Sequence, residues 1–229
     1  MGGLCTLADV KTWLDISNTT KDVKLQLFID TVTEQMISYL GYQARQTTYT
    51  NEVHSINNNQ LLYLKGAPIQ SVSSLTIAGV PATQGSDDNS FQFDDTDAKA
   101  GRLFIGTGFC GNYYTRNMTY DPVSGMRSIL VSYIAGWYFP DDTSYNITNA
   151  KSFNVSDSVP YTITLACIEE VVQKYRRNLA KAEGVESYKE GTISWKFANA
   201  KTGSDSMDGG GLSGETREML NSFRRWGIA

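Results

Sequence analysis

The chain is poor in the residues on which many catalytic and metal sites depend. Its 229 residues include one histidine, His54, and three cysteines, Cys5, Cys110 and Cys167, which form no CxxC pair. A catalytic triad or a multi-histidine metal site would have to be built around that single imidazole, and a disulfide framework needs an even number of cysteines. We therefore predict no enzyme activity, no cofactor and no metal site, with buried and reduced cysteines.

Charge and long apolar runs are also scarce. Charged residues make up 19% of the chain, and the net charge is −4. The chain therefore lacks the net positive charge that is typical of a nucleic-acid-binding protein. A protein that only lets DNA slide through a channel does not need a positively charged channel surface. No stretch approaches the roughly 18 apolar residues of a membrane span, which predicts that the protein does not use a membrane as a partner.

Two glycine-rich segments resemble phosphate-binding loops but lack their decisive parts. Residues 106–111 match GxGxxG after a predicted strand, but no helix follows to hold a pyrophosphate. Residues 209–216 resemble a P-loop until Glu215 stands where the phosphate-binding lysine belongs. We interpret the first segment as a hairpin loop and the second as a linker leading into a helix.

Acidic and aromatic residues each allow a binding-site hypothesis. The acidic residues lack the pattern of a calcium-binding EF-hand loop, so solvated turns are favoured over a cation site: Asp87, Asp88, Asp94, Asp95 and Asp97. The aromatic residues could form a carbohydrate platform, but aromatics that alternate along strands are more often core: Tyr113, Tyr114, Tyr133, Trp137, Tyr138 and Phe139. His54 and its neighbours Glu52 and Ser55 are interpreted as residues of one strand.

Apolar spacing predicts helices at both ends of the chain. A capping box of Thr6 and Asp9 begins a short helix, and a longer helix from Asp22 ends at Gly41, which suits a left-handed cap. A further long helix follows Pro160, where Glu170 and Lys174 have the i, i+4 spacing of a surface ion pair.

The middle of the chain has the period of two that is typical of strands. Short strands are predicted at 47–54, 60–64, 72–78, 91–93, 102–105 and 127–133, separated by glycine- and proline-containing turns. The predicted fold class is α+β, with a helical core, a large antiparallel β-rich insertion and a C-terminal helix tethered by a linker. The predicted segments are the N-terminal helices at 1–45, the insertion at 46–160, the long helix and a strand at 161–200, and the linker with its helix at 201–229.

The last segment is predicted to be an interaction site. A linker of Gly, Ser and Asp residues at 201–214 precedes an amphipathic helix at about 215–226, and a helix this short orders on docking. Aromatic and arginine residues dominate interface hot spots. The predicted interface residues are Met219, Leu220, Phe223, Arg224, Arg225 and Trp226. Packing of this helix onto its own core is the alternative.

Several segments, taken in order, resemble the head–tail connector (adaptor or head-completion) family of tailed bacteriophages. They are LADVKTWL (7–14), MISYLG (36–41), LYLKGAPIQSVSSLTI (62–77), VSYIAGW (131–137), LACIEEVVQKY (165–175) and YKEGTISW (188–195). The long middle, the stretch at 138–159 and the C-terminal linker with its helix depart from the short members of that family.

The resemblance implies a structural virion protein at the head–tail joint, assembled in the host cytoplasm. Its members form rings, usually dodecamers, that join the portal protein to a tail-completion or tail protein and continue the DNA channel without reading DNA sequence. A tail-completion or terminator protein is one alternative, and a β-sandwich binding module of the tail is another. A glycan array would distinguish the binding module, because it would use the central aromatic residues.

Overall fold

A computed structural model describes residues 2–55, 61–77, 79–87, 90–106, 128–151, 157–182, 187–190, 193–196 and 211–224. These residues divide between two compact units. The first unit comprises residues 1–41, 139–147 and 158–229, and the second comprises residues 42–138 and 148–157. The predicted α+β fold is confirmed, because helices dominate the first unit and a curled seven-stranded sheet forms the second.

The caps predicted at the start of the first helix and at the end of the second are both present. Helix α1 (Leu7–Trp13) has the capping box of Thr6 and Asp9. Helix α2 (Asp22–Leu40) ends at Gly41, whose φ of 80° is the left-handed conformation that a residue without a Cβ adopts at little cost.

The second unit contains the sheet. Its strands are β1 (Thr47–Ser55), β2 (Leu61–Tyr63), β3 (Ile69–Ile77), β4 (Val80–Gln84), β5 (Ser90–Gln92), β6 (Arg102–Ile105) and β7 (Ser128–Ala135). Their order is β1-β7-β3-β4-β5-β6-β2. All neighbouring strands are antiparallel except β4 and β5, which form a short parallel pair. The most deeply buried side chains of this unit include Tyr133, Val131, Leu103 and Leu75.

Some elements of the second unit were not predicted. Strand β4 contains Pro81, which lacks the N–H of a regular ladder, but its pairing with β5 uses only Thr83 and Gln84. Helix α3 (Asp95–Ala100) lies among the acidic residues that were predicted to form solvated turns. A six-residue helix leaves little apolar periodicity to detect, so its sequence signals are the residues that cap its two ends, Asp94 and Gly101.

The remaining elements follow the sheet along the chain. A short helix α4 (Ile147–Ala150) precedes the 22-residue helix α5 (Tyr161–Ala182), and a hairpin of β8 (Ser187–Glu190) and β9 (Ile193–Lys196) comes next. The last described helix is α6 (Gly214–Leu220). Within the described residues, no helix combines the length and the apolar character needed to cross a bilayer.

The core of the first unit lies between α2 and α5. Leu25, Ile29 and Met36 of α2 are fully buried, as are Ile163 and Val171 of α5. The two helices also meet through the rings of Phe28 and Tyr175, edge to face with centroids 6.5 Å apart. This helix pair provides the surface on which the C-terminal segment lies.

Candidate interaction site

The C-terminal segment contains a short, well-capped helix. The Ser213 hydroxyl accepts a hydrogen bond from the backbone N–H of Thr216 at 3.3 Å, which satisfies one of the first unpaired donors of α6. Glu215 lies in the first turn, where the helix dipole favours a negative charge. The helix ends at Leu220, shorter than the predicted 215–226, and residues 225–229 lie outside the described part of the chain.

A buried carboxylate on α5 holds the start of this helix. Glu170 is 1% exposed, and one of its oxygens, Oε2, accepts the Ser213 N–H at 3.0 Å and the Thr216 hydroxyl at 2.9 Å. A buried carboxylate is stable only when donors replace the water that it has lost. The segment therefore supplies Glu170 with donors and is positioned by it.

The second carboxylate oxygen of Glu170 faces a lysine. Lys174 Nζ lies 3.7 Å from Glu170 Oε1, and it donates a hydrogen bond to Gln35 of α2. Desolvation lowers the pKa of Lys174, while the charge of Glu170 acts in the opposite direction. The predicted i, i+4 pair exists, but it is not a surface pair, because the C-terminal segment covers Glu170.

Apolar and aromatic contacts complete the docking. Leu212 and Leu220 are buried, with Leu220 fully inaccessible. The Tyr39 hydroxyl of α2 donates to Asn221 Oδ1 at 2.7 Å. The Arg224 guanidinium lies 4.7 Å from the centroid of the Tyr39 ring, within the range of a cation–π interaction.

The structure thus brings two of the predicted interface residues, Leu220 and Arg224, to the α2 and α5 surface of the same chain. Leu220 faces the core of its own unit, whereas Met219, Phe223 and Arg224 are half-buried and keep part of their surface accessible. Arg225 and Trp226 lie outside the described residues. Docking onto another protein stays a prediction, and Met219, Phe223 and Arg224 are the described residues that retain surface for it.

One polar atom of the segment has no partner within the described residues. The Nε of Arg217 is buried and makes no hydrogen bond there, although buried donors are paired in most folded proteins. The side chain as a whole is half-buried.

A second buried carboxylate lies in the β-rich unit. A β-bulge between Tyr49 and Glu52, with Asn51 at a φ of +51°, directs the Glu52 side chain inward, where it is 7% exposed. Glu52 accepts from the Tyr133 hydroxyl at 2.5 Å and from the Lys65 N–H at 3.1 Å. His54 Nε2 lies 2.6 Å from Glu52 Oε1.

Tyr133 is fixed in this cluster by contacts of both its hydroxyl group and its ring. The Tyr133 oxygen accepts the Gly66 N–H at 3.1 Å, and its ring stacks on Tyr49 with centroids 4.6 Å apart. Burial and the hydrogen bond to Glu52 raise the pKa of Tyr133 well above its ordinary value. The cluster joins strands β1 and β7 to residues 65–66, and its groups serve one another as hydrogen-bond partners. We interpret it as a structural network.

The burial of both glutamates was not predicted from the sequence. Glu52 and His54 are two apart in a strand, so they lie on the same face, and this spacing could have indicated their contact. No comparable signal marked Glu170, because the residues that cover it lie more than 40 positions along the chain.

The other predicted candidates have structural roles where they are described. Asp94 is exposed and caps α3, whereas Asp97 is 5% exposed and accepts a hydrogen bond from Arg102 Nε at 2.5 Å, so the prediction of a solvated turn is wrong for Asp97. They line an open depression of about 330 Å³ with Gln92, Phe93 and Phe104. In the described ranges no three acidic, histidine or cysteine side chains converge as a metal site.

The central aromatic residues are core where the structure describes them. Tyr133, Phe139 and Trp137 are between 0% and 5% exposed, and Tyr138 is half-buried. Tyr113, Tyr114 and the GxGxxG segment after Gly106 lie outside the described residues. Buried rings offer no stacking surface for a sugar, so the described aromatics do not form the predicted alternative, a carbohydrate platform.

A family model described as head completion protein matches residues 3–134, more than half of the chain. The chain belongs to the head completion protein family. This membership confirms the family resemblance predicted from the sequence segments. The matched range includes α1, α2 and all but the last residue of β7. No curated protein matches this head completion protein.

Two solved structures resemble the fold. A chain from the neck of an empty gene transfer agent particle, computed with C6 symmetry, has 11% sequence identity and a TM-score of 0.47. A chain from the virion of a native gene transfer agent particle has 11% identity and a TM-score of 0.45. In both cases the likeness covers 99% of the head completion protein and 92% of the other chain.

Proposed function

We propose that this head completion protein is a structural, non-enzymatic subunit of a phage neck, which forms a ring that joins the portal to the tail. The family match over residues 3–134 is the observation that carries the proposal. The ring continues the channel through which DNA passes, and it lies at the head–tail joint of a virion assembled in the host cytoplasm.

The charge of the chain supports passage of DNA without binding. A net charge of −4 gives the phosphate backbone little overall attraction, whereas basic walls would retain it. Sequence-specific recognition also needs side chains that reach base edges from a positively charged surface. The proposed channel therefore guides DNA without reading it.

Exposed apolar side chains on α2 support contacts between subunits. Val23 is 87% exposed and Leu27 is 65% exposed, one helical turn apart on the same face. A closed ring uses heterologous contacts, in which one face of each subunit fits a different face of the next. We propose that this α2 face, defined by Val23 and Leu27, contacts a second copy of the chain.

The proposal is tested by removing the gene product from infected cells and restoring it with a tagged full-length chain. Without it, we expect DNA-filled heads and complete tails that remain separate, and restoration should give joined particles with label at the head–tail joint. Joined particles in the absence of the protein would overturn the proposal.

The same preparation separates the nearest alternative. A tail-completion or terminator protein would copurify with free tails when heads are defective, whereas a connector would copurify with free heads when tails are defective. Label on tail fibres would instead favour a binding module of the tail.

A further inference from the structure

We propose that Cys5 and Cys167 form a redox staple, a site where a peroxide oxidant converts two buried thiols into an intramolecular disulfide. Both thiols are free and buried, and their Sγ atoms lie 3.5 Å apart although the residues are 162 positions apart in the chain. This proposal does not rest on the neck function, because it concerns the first unit alone.

The backbone on both sides of Cys5 is anchored. Leu4 is fully buried and its N–H donates to the Thr33 hydroxyl of α2 at 3.1 Å. On the other side, Thr6 and Asp9 form the capping box of α1. Cys5 is thus held between two fixed points, and its sulfur stays near Cys167.

The partner thiol is equally well placed. Cys167 lies inside the 22-residue helix α5 and is fully buried between its neighbours. A disulfide has an S–S length of about 2.0 Å, so the two sulfurs must approach by about 1.5 Å. We expect rotations about the two Cα–Cβ bonds to provide this movement.

Hydrogen peroxide supplies the two-electron oxidation that disulfide formation requires. One thiol reduces hydrogen peroxide and becomes a sulfenic acid, with release of one water molecule. The second thiol then attacks the sulfenic sulfur, the S–S bond forms, and a second water molecule leaves. Two thiols lose two hydrogens and two electrons in total, and the peroxide is the species that is reduced.

Cys5 is the sulfur that we expect to react first. It lies in the non-helical segment just before α1, and such a segment opens more easily than the middle of a long helix. Its hydrogen bond with Cys167 and its burial raise the pKa of Cys5. Because the thiolate is the reactive form, oxidation should be slow and should require that opening.

A disulfide between Cys5 and Cys167 would add a covalent constraint to the first unit. It would tie the segment before α1 to α5 and close a loop of more than 160 residues, which restricts the unfolded chain. In a reducing compartment the thiols persist, and an oxidising one favours the disulfide. The oxidised unit should therefore resist unfolding better than the reduced one.

The test uses the full chain with Cys110→Ser, which leaves only these two cysteines. After hours in hydrogen peroxide under native conditions, intact mass spectrometry should show the loss of two hydrogens per chain, and thiol titration in denaturant should find no free thiol. We expect a rise in melting temperature of about 5 °C or more, reversed by a reductant.

Two single variants are the controls. Cys5→Ser and Cys167→Ser, each combined with Cys110→Ser, should give neither the mass loss nor the rise in melting temperature. The proposal is overturned if both thiols of the Cys110→Ser chain remain titratable after treatment. It is also overturned if the chain gains oxygen without a cross-link, or if the cross-link joins two chains.

Discussion

At the scale of single residues, the two buried glutamates show how this protein accommodates charge in its interior. Glu170 and Glu52 belong to different units, yet each accepts a backbone N–H and a side-chain hydroxyl. Removing one partner of a buried carboxylate costs more than the net value of the pair, because the remaining charge stays desolvated. Both sites are therefore sensitive to conservative changes in the surrounding donors.

The first prediction concerns the Glu170 contacts. Thr216→Val removes one donor to the carboxylate and should weaken docking of the C-terminal segment by about 1–3 kcal/mol. Hydrogen exchange of the amides at 213–220 should accelerate, while the amides of α5 stay protected. The matched control is Ser222→Ala, an exposed change next to the helix. Equal exchange in the two variants would show that Glu170 does not hold the segment.

The second prediction concerns Tyr133 and pH. Its folded pKa is raised, so its contribution to stability is complete below the unfolded pKa of about 10 and is lost as the pH rises above it. Tyr133→Phe should be less stable at pH 7, because it leaves Glu52 and the Gly66 N–H without their partner. Its stability should then decline less steeply than that of the wild type above pH 10. Denaturant midpoints from pH 7 to 11 measure both effects.

Tyr49 provides the control for this measurement. Its pKa is also raised, by burial first and then by Glu52. The Tyr49→Phe variant keeps the Tyr133 hydroxyl and its hydrogen bonds, so it should retain most of the alkaline decline. Parallel pH curves for wild type and Tyr133→Phe would contradict the assigned role of Tyr133.

At the scale of elements, the C-terminal helix α6 is held in place by the buried side chains of one of its faces. Leu220 is fully buried, whereas its neighbour Met219 is half-buried, so two similar residues of one helix differ in burial. We predict that Leu220→Ala costs about 2–5 kcal/mol and that Met219→Ala costs clearly less. Limited proteolysis near 211–224 compares the variants, and equal cleavage would mean that this face does not anchor the helix.

Local signals predicted the elements whose causes are local. The capping box of Thr6, the left-handed cap at Gly41 and the period of α2 each depend on residues a few positions apart. Strand β4 and helix α3 were missed because Pro81 argues against a strand and because six residues carry little periodicity. Short elements take their conformation from tertiary contacts, which a sequence pattern does not contain.

The candidate site was predictable only in part for the same reason. The amphipathic pattern indicated the final helix and its apolar residues, including Leu220 and Phe223. It did not indicate Glu170 or Tyr39 as the surface that receives them, because those contacts join positions 46 and 182 residues apart. Whether a helix docks on its own chain or on a partner is decided by such distant contacts.

At the scale of the whole molecule, ring assembly should depend on the exposed α2 face. Val23→Asp places a charge on a side chain that is 87% exposed, so folding should be unaffected. Burying that charge against a second copy would be costly, and we predict a loss of ring formation of at least tenfold. The control Ser38→Asp changes an exposed residue of α2 about three turns beyond Leu27, outside the proposed face, and should leave ring formation unchanged. Native mass spectrometry or light scattering in the presence of portal-bearing heads would measure the assembly, and intact rings would exclude this face.

The last prediction addresses whether the C-terminal segment also serves a neighbour. Deleting the segment would uncover Glu170 and the apolar surface around Leu220, so a truncated subunit could fail for reasons of its own stability. A combined Phe223→Ala and Trp226→Ala change is a more specific test than the deletion, because it leaves the Leu220 anchor and the Glu170 hydrogen bonds in place.

If the segment docks in trans through Phe223 and Trp226, this double variant should keep a melting temperature close to that of the wild type. Its incorporation onto portal-bearing heads should fall by about tenfold or more, since aromatic anchors commonly contribute more than 1 kcal/mol each. Ser222→Ala, on the exposed side of the same segment, should be incorporated normally. Normal incorporation of the double variant would mean that the segment completes only its own subunit, and the portal contact would then have to lie on another surface.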